Sequence, residues 1–136
     1  MSPEERAEVA AWVALHKQVR PLLTTGTTVR GDHPDPGVLV TGIVAPDRRE
    51  AWYVVATVDT TLTQAIGQVR LPGLDPALTY DLVDVTVPGT RHRAELGETW
   101  LDADAIALGG AALSAVGVRF PALAPEDAHV LKVTAR

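Results

Sequence analysis

The side chains able to act chemically are few. Four histidines, His16, His33, His92 and His129, stand at none of the short spacings that place two imidazoles on one metal. They read as surface or partly packed residues. The two serines are Ser2 and Ser114, and neither sits in the glycine-flanked turn of a nucleophile elbow. Cysteine is absent, which removes thiolate metal sites, disulfides and cysteine nucleophiles. No loop has the glycine and lysine pattern that cradles phosphate or a dinucleotide. Two carboxylates facing each other across a cleft can hydrolyse a glycosidic bond. Asp102 and Asp104, two apart, point to one face if they lie on a strand, whereas Asp81 and Asp84 do not; Asp32 and Asp35 bracket Pro34 in a segment of turn composition. Solvated turn carboxylates explain all three pairs. No residue is therefore assigned to catalysis, to a cofactor or to a metal. Aromatic faces suit the C–H face of a pyranose, and Trp52, Tyr53 and Trp100 form an alternative sugar-stacking set. Trp52 and Tyr53 are adjacent, so on a strand one faces the core and the other becomes the exposed platform.

The elements that must position these residues fall into two parts. Ser2 can accept from the free amides of a first turn while Glu5 reaches back, and Pro3 stands where no amide donor is needed, so a helix begins there. Val9, Trp12, Val13, His16, Val19 and Leu23 recur at spacings of three and four and form one stripe. Val9, Trp12, Val13, His16 and Val19 are the interface candidates. Pro21 disfavours a helical Arg20, which predicts an end near there, with Thr24-Thr25-Gly26 completing the stop. Beyond Gly26 the pattern turns to short β-branched runs at 27–30, 39–44, 52–58, 68–71, 80–87, 105–108, 116–120 and 129–134, parted by Gly, Pro and Asp. The expected fold is all-β, an antiparallel two-sheet β-sandwich of about eight short strands preceded by one N-terminal α-helix. The organisation is a helix and turn over 1–26 and a sandwich over 27–136. The run 109–117 mixes alanine, which favours a short helix, with glycine, which favours a bulged strand or a sheet-to-sheet crossover, and a short turn or bulge is the expectation; 95–104 holds Trp100 among acidic residues as a loop or edge strand.

Composition bounds the partners. The chain has 136 residues, the size of one domain, and 46% are hydrophobic. A formal charge of -5 without clustered basic residues opposes nucleic acid. The apolar run 38–44 falls far short of the roughly 20 residues of a membrane span, and the acidic start is unlike a secretory signal. A soluble cytoplasmic protein is expected, with no membrane partner.

The order of four segments is familiar. EVAAWVALHKQVRPLLTTG, then VLVTGIVAPDRREAWYVVATVDT, then VRLPGLDPALTYDLVDV, then GGAALSAVGVRFPALAPEDAHVLKVTA together resemble the C-terminal end of bacterial alpha-galactosidases of glycoside hydrolase family 36. The resemblance implies that 1–26 is the last helix of a catalytic (β/α)8 barrel and that a β-sandwich follows it. In that family the nucleophile lies in a Lys-Trp-Asp motif at a barrel strand end. No such tripeptide occurs here, so no catalytic residue carries over. The chain is expected to be inactive alone, with the barrel as partner and homo-oligomer contacts as a further expectation, since an apolar stripe left in water favours self-association.

Overall fold

The computed structural model describes residues 1–59, 66–86, 105–120 and 127–136. Among the described residues, helix α1 (Pro3–Thr25) leads into eight strands, β1 (Thr27–Gly31), β2 (Val38–Val44), β3 (Glu50–Thr57), β4 (Gly67–Val69), β5 (Thr79–Asp84), β6 (Ile106–Gly109), β7 (Val118–Phe120) and β8 (Ala128–Ala135), with a short helix α2 (Gly110–Ala115) between β6 and β7. One six-stranded sheet runs in the order β1-β2-β3-β8-β5-β6, and β4 and β7 form a second sheet. Every pairing is antiparallel. The fold is an all-β sandwich with an N-terminal helix, as the short β-branched runs parted by Gly, Pro and Asp predicted.

Alternation along each strand decides which face closes the core. Val40, Val55, Leu82, Leu131 and Val133 turn to the inner face, where they pack with Val69, Leu71, Leu74, Leu113 and Phe120 of the second layer. Tyr53 and Tyr80 stand on the same face, and their hydroxyls bond the backbone of loops and turns around the core. Tyr53 donates to the Pro72 carbonyl. Tyr80 donates to the Arg48 carbonyl at 2.6 Å and accepts from the Asp75 amide at 2.9 Å. Gly42 is required opposite Tyr53, because a Cβ there would lie 2.4 Å from the tyrosine ring.

The expected start of α1 is present in full: Ser2 Oγ accepts from the Glu5 amide at 3.1 Å, and the Ser2 amide donates to Glu5 Oε2 at 2.8 Å. Its expected end is not. The helix runs through Pro21 to Thr25, although an interior proline removes one backbone bond and costs about 3 kcal/mol. Leu22 is the buried residue of the helix, and the Gly26 amide closes the last turn on the Leu22 carbonyl at 2.7 Å. Burial one residue past the proline offsets its cost. The turn or bulge expected at 109–117 is likewise corrected to helix α2, with Gly110 and Leu113, three apart, as its buried pair. A Cβ at Gly110 would stand 2.1 Å from the Asp75 carbonyl oxygen.

Gly117 stops α2 at φ +88°, and a Cβ there would lie 2.1 Å from the Val69 carbonyl oxygen. Gly117→Ala is expected to lower the unfolding free energy by about 3 kcal/mol, combining left-handed strain with overpacking. Gly109→Ala, with nothing within 4 Å of the new Cβ, should stay within about 0.5 kcal/mol of wild type. Urea denaturation of both variants checks the contrast.

Candidate functional site

Helix α1 divides its apolar residues between two faces. Trp12, Leu15 and Val19 are half-buried and Leu22 is buried, at the three- and four-residue steps that keep one side of a helix against a sheet. The neighbouring stripe stays open, with Val9 49%, Val13 47% and Leu23 48% exposed and His16 exposed beside them. The interface set from the sequence is therefore split: Trp12 and Val19 lean inward, while Val9, Val13 and His16 face outward.

Beside the C-terminal half of α1 lies a groove of about 300 Å³ on the outer face of the large sheet, lined mainly by Val19, Leu23, Ile43, Trp52, Val54 and Val130. Cross-strand register explains the lining, because Ile43 pairs with Trp52 and Val54 pairs with Val130. Trp52 is 5% and Tyr53 1% exposed. One of the pair faces the core as expected, but the other is not an exposed platform. Trp52 has Lys132 Nζ 5.6 Å from its ring centroid and donates through Nε1 to Glu50 Oε1 at 3.0 Å. The C-terminal half of α1 shelters this face, so the helix packs in part on its own sheet. Trp100, Asp102, Asp104 and His92 lie outside the described residues.

A second concentration of chemistry is internal. His129 Nδ1 lies 3.0 Å from Asp84 Oδ2, and His129 Nε2 lies 3.9 Å from Asp127 Oδ2, with all three side chains fully buried. Thr86 donates to Asp84 Oδ1 from its amide at 2.9 Å and its hydroxyl at 2.5 Å, and its oxygen accepts from the Val130 amide at 2.8 Å. Thr57 and Asp127 exchange bonds through the Thr57 hydroxyl, 3.2 Å to the Asp127 carbonyl and 3.1 Å from its amide. The edge of Phe120 meets the imidazole with ring centroids 5.9 Å apart. Burial pushes the Asp84 carboxyl upward, but bonds from His129 and Thr86 outweigh it and hold the carboxyl below its ordinary 3.8. Burial raises the Tyr53 phenol, and the neighbouring Tyr80 adds to the rise. Two carboxylates flank one imidazole here, yet the side chains have no exposed surface for a substrate to reach. The signal for His129 was present in the sequence, since it shares the alternation of Leu131 and Val133.

Among the described residues no group of three His, Asp, Glu or Cys side chains is arranged to hold a metal. None of the described helices is long and apolar enough to cross a membrane. Asp81 pairs with exposed Arg136 at 2.9 Å, and Asp35 closes the 32–37 turn by accepting from the Gly37 amide at 2.9 Å. Both are structural uses of the acidic pairs.

A helix-led antiparallel sandwich of this order is an all-β domain, not a (β/α)8 barrel or a nucleotide fold. The chain belongs to the glycosyl hydrolase family 36 C-terminal domain family, which matches residues 38–132. It is 29% identical over 126 residues to an alpha-galactosidase of Escherichia coli, a match spanning 88% of this chain and 18% of that protein. Among solved structures, the galactosidase domain of the alpha-galactosidase-sucrose kinase AgaSK superposes with a TM-score of 0.75 at 20% identity, covering 100% of this chain and 17% of that one. The GH36 alpha-galactosidase AgaA of Geobacillus stearothermophilus gives 0.74 at 24% identity, covering 100% and 16%. The chain thus spans less than a fifth of the length of these relatives, and the fold likeness takes in α1 as well as the sandwich.

The Asp84 cluster gives a pH-dependent stability. In the unfolded chain this carboxyl titrates at its ordinary value, above its folded value, so on acidification the unfolded state takes up the proton first. The stabilisation is complete above 3.8 and is lost as pH falls through the lower folded value. Asp84→Asn is expected to cost about 3 kcal/mol at neutral pH, the loss of a buried charge-assisted pair, and to flatten this acid limb. Urea midpoints followed from neutral to acid pH check it; a variant with an unchanged acid limb contradicts the assignment.

Proposed function

We propose that this chain is the non-catalytic C-terminal domain of an alpha-galactosidase-type glycoside hydrolase that cleaves terminal alpha-galactosides. In this reading residues 1–26 are the last helix of the catalytic (β/α)8 barrel, residues 27–136 are the sandwich that buttresses it, and the enzyme works in the cytoplasm. The carrying observation is the unfilled surface around α1. Val9, Val13 and Leu23 stay about half exposed beside an apolar groove that Val19 and Trp52 help to line. Fully burying such side chains is worth on the order of 1.5 to 3 kcal/mol each, so a surface of this kind favours a partner. The family match and the likeness to an alpha-galactosidase support the barrel as that partner, with oligomer contacts as an additional use of the same face. The alternative, a sugar-binding module stacking on Trp52, Tyr53 or Trp100, is disfavoured at Trp52 and Tyr53 by the burial of both rings, and Trp100 lies outside the described residues.

Incubated with an aryl alpha-galactoside, the chain is expected to give no turnover. Added to the Escherichia coli enzyme truncated of its matched region, wild-type chain should restore activity, and chain carrying Val9→Asp and Val13→Asp should not. Turnover by the chain alone that one carboxylate substitution abolishes would falsify the non-catalytic assignment, and equal rescue by both forms would remove α1 from the docking surface.

A further inference from the structure

A second opening lies on the other layer of the sandwich, where the β1–β2 loop, β4 and the end of α2 meet around a cleft of about 740 Å³. We propose that this cleft is a binding site for a neutral polyhydroxylated ring, a pyranose held through adjacent hydroxyls.

The cleft is built rather than incidental. The His33 ring ties its floor, with Nε2 3.0 Å from the Ile66 carbonyl and Nδ1 accepting from the Asp35 amide at 3.0 Å. Both ring nitrogens are thereby committed to the backbone, so the imidazole is wall and not ligand. Gly31 lets the end of β1 close on the segment after β4, where a Cβ would stand 3.3 Å from the Arg70 carbonyl oxygen and 2.9 Å from Val40 Cγ1. Gly117 presses the end of α2 against Val69 in the same way, and the Leu71 amide donates to the Leu113 carbonyl at 3.0 Å. Gln68 and Arg70 alternate outward from β4 on either side of buried Val69, which sends both side chains toward the opening that Asp32 borders from the loop.

The chemistry of the lining selects the ligand. Asp32, Gln68 and Arg70 make no side-chain hydrogen bond or ion pair with other described residues, so a carboxylate, an amide and a guanidinium are free to bind. Arg70 donates only, Asp32 accepts only, and Gln68 does both. An anion would meet Asp32 and a cation would meet Arg70, whereas neighbouring hydroxyls accept from one and donate to the other at the same time. Pro34 and Val116 add an apolar wall, Val116 being 57% exposed, which suits the C–H face of a ring better than an open-chain polyol. The volume is in the range of about 300 to 1,000 Å³ usual for small-ligand sites. The inference stands independently of the barrel-support reading and uses none of the aromatic residues of the earlier sugar-stacking set.

The test is a titration of the isotopically labelled full chain, followed by amide chemical shifts, with methyl alpha-galactoside, methyl alpha-glucoside and, as the open-chain polyol, glucitol. Saturable shifts are expected with at least one pyranoside, centred on Asp32, Gln68, Arg70 and Val116. Asp32→Ala and Arg70→Ala should each weaken binding by about tenfold or more, as for a lost hydrogen bond to a charged group, and Gln68→Ala by less. Arg49→Ala, on the distant β2–β3 turn, should leave it unchanged. All four side chains are exposed, and a dispersed spectrum of each variant certifies the fold. The proposal is overturned if neither pyranoside gives saturable shifts, if the shifts centre elsewhere, if glucitol binds equally well, or if Asp32→Ala and Arg70→Ala both bind as wild type.

Discussion

The structure depends on how a thin second layer seals a broad sheet. The inner face of the six-stranded sheet carries Tyr80, Leu82, Leu131 and Val133 with no exposed surface, yet among the described residues the opposing sheet consists of two three-residue strands. So short a ribbon has three paired positions and needs further fastening. The fastening comes from tyrosine. Each ring supplies apolar bulk to the core while its hydroxyl bonds a backbone group of a loop or turn that covers it, Tyr53 to Pro72 and Tyr80 to Arg48 and Asp75. The raised phenol of Tyr53 keeps the hydroxyl a donor across the ordinary pH range. Glycines do the remaining work by letting backbones touch, Gly110 against Asp75 and Gly117 against Val69.

Sealing one face leaves the other unresolved. A sheet of six strands has an outer face just as wide, and along β2, β3 and β8 it reads Ile43, Trp52, Val54 and Val130, which is no solvent face. Helix α1 covers part of it, chiefly near Val19, Leu22 and Leu23. The rest is the groove. Lys132 over Trp52 is a local solution, laying an aliphatic stem and a cation on an aromatic face. This incompleteness is the physical content of the docking proposal: the sequence specifies a surface that the described residues do not finish.

Periodicity made most of this legible. The capping box at Ser2 and Glu5 and the alternation in every strand run are local signals, and local signals survive into the fold. What stayed hidden was tertiary. Pro21 is an effective helix stop by itself, and the burial of Leu22 just beyond it works against that stop. The helical phase of Gly110 and Leu113 competes with a glycine-rich composition, and the outcome turns on Leu113 reaching the core. Trp52 is sheltered by a helix some thirty residues earlier in the chain, a contact no spacing rule encodes. The cluster of His129, Asp84 and Asp127 joins β8 to the end of β5, and the two ends of that pairing are about forty-five residues apart. The cleft around Asp32 and Arg70 was similarly unreadable, since it is assembled from a loop, a strand and a helix end.

The two proposed surfaces are compatible because the large sheet stands between them. Residues that line the groove project from its outer face, whereas Gln68 on β4 and Arg70 just after it stand in the layer that covers the inner face. A large partner seated over α1 and the groove leaves the cleft beyond its contact. The two openings therefore lie on opposite sides of the large sheet. Its apolar side suits a permanent neighbour, gained once and kept, and its polar cleft suits a small ligand that comes and goes.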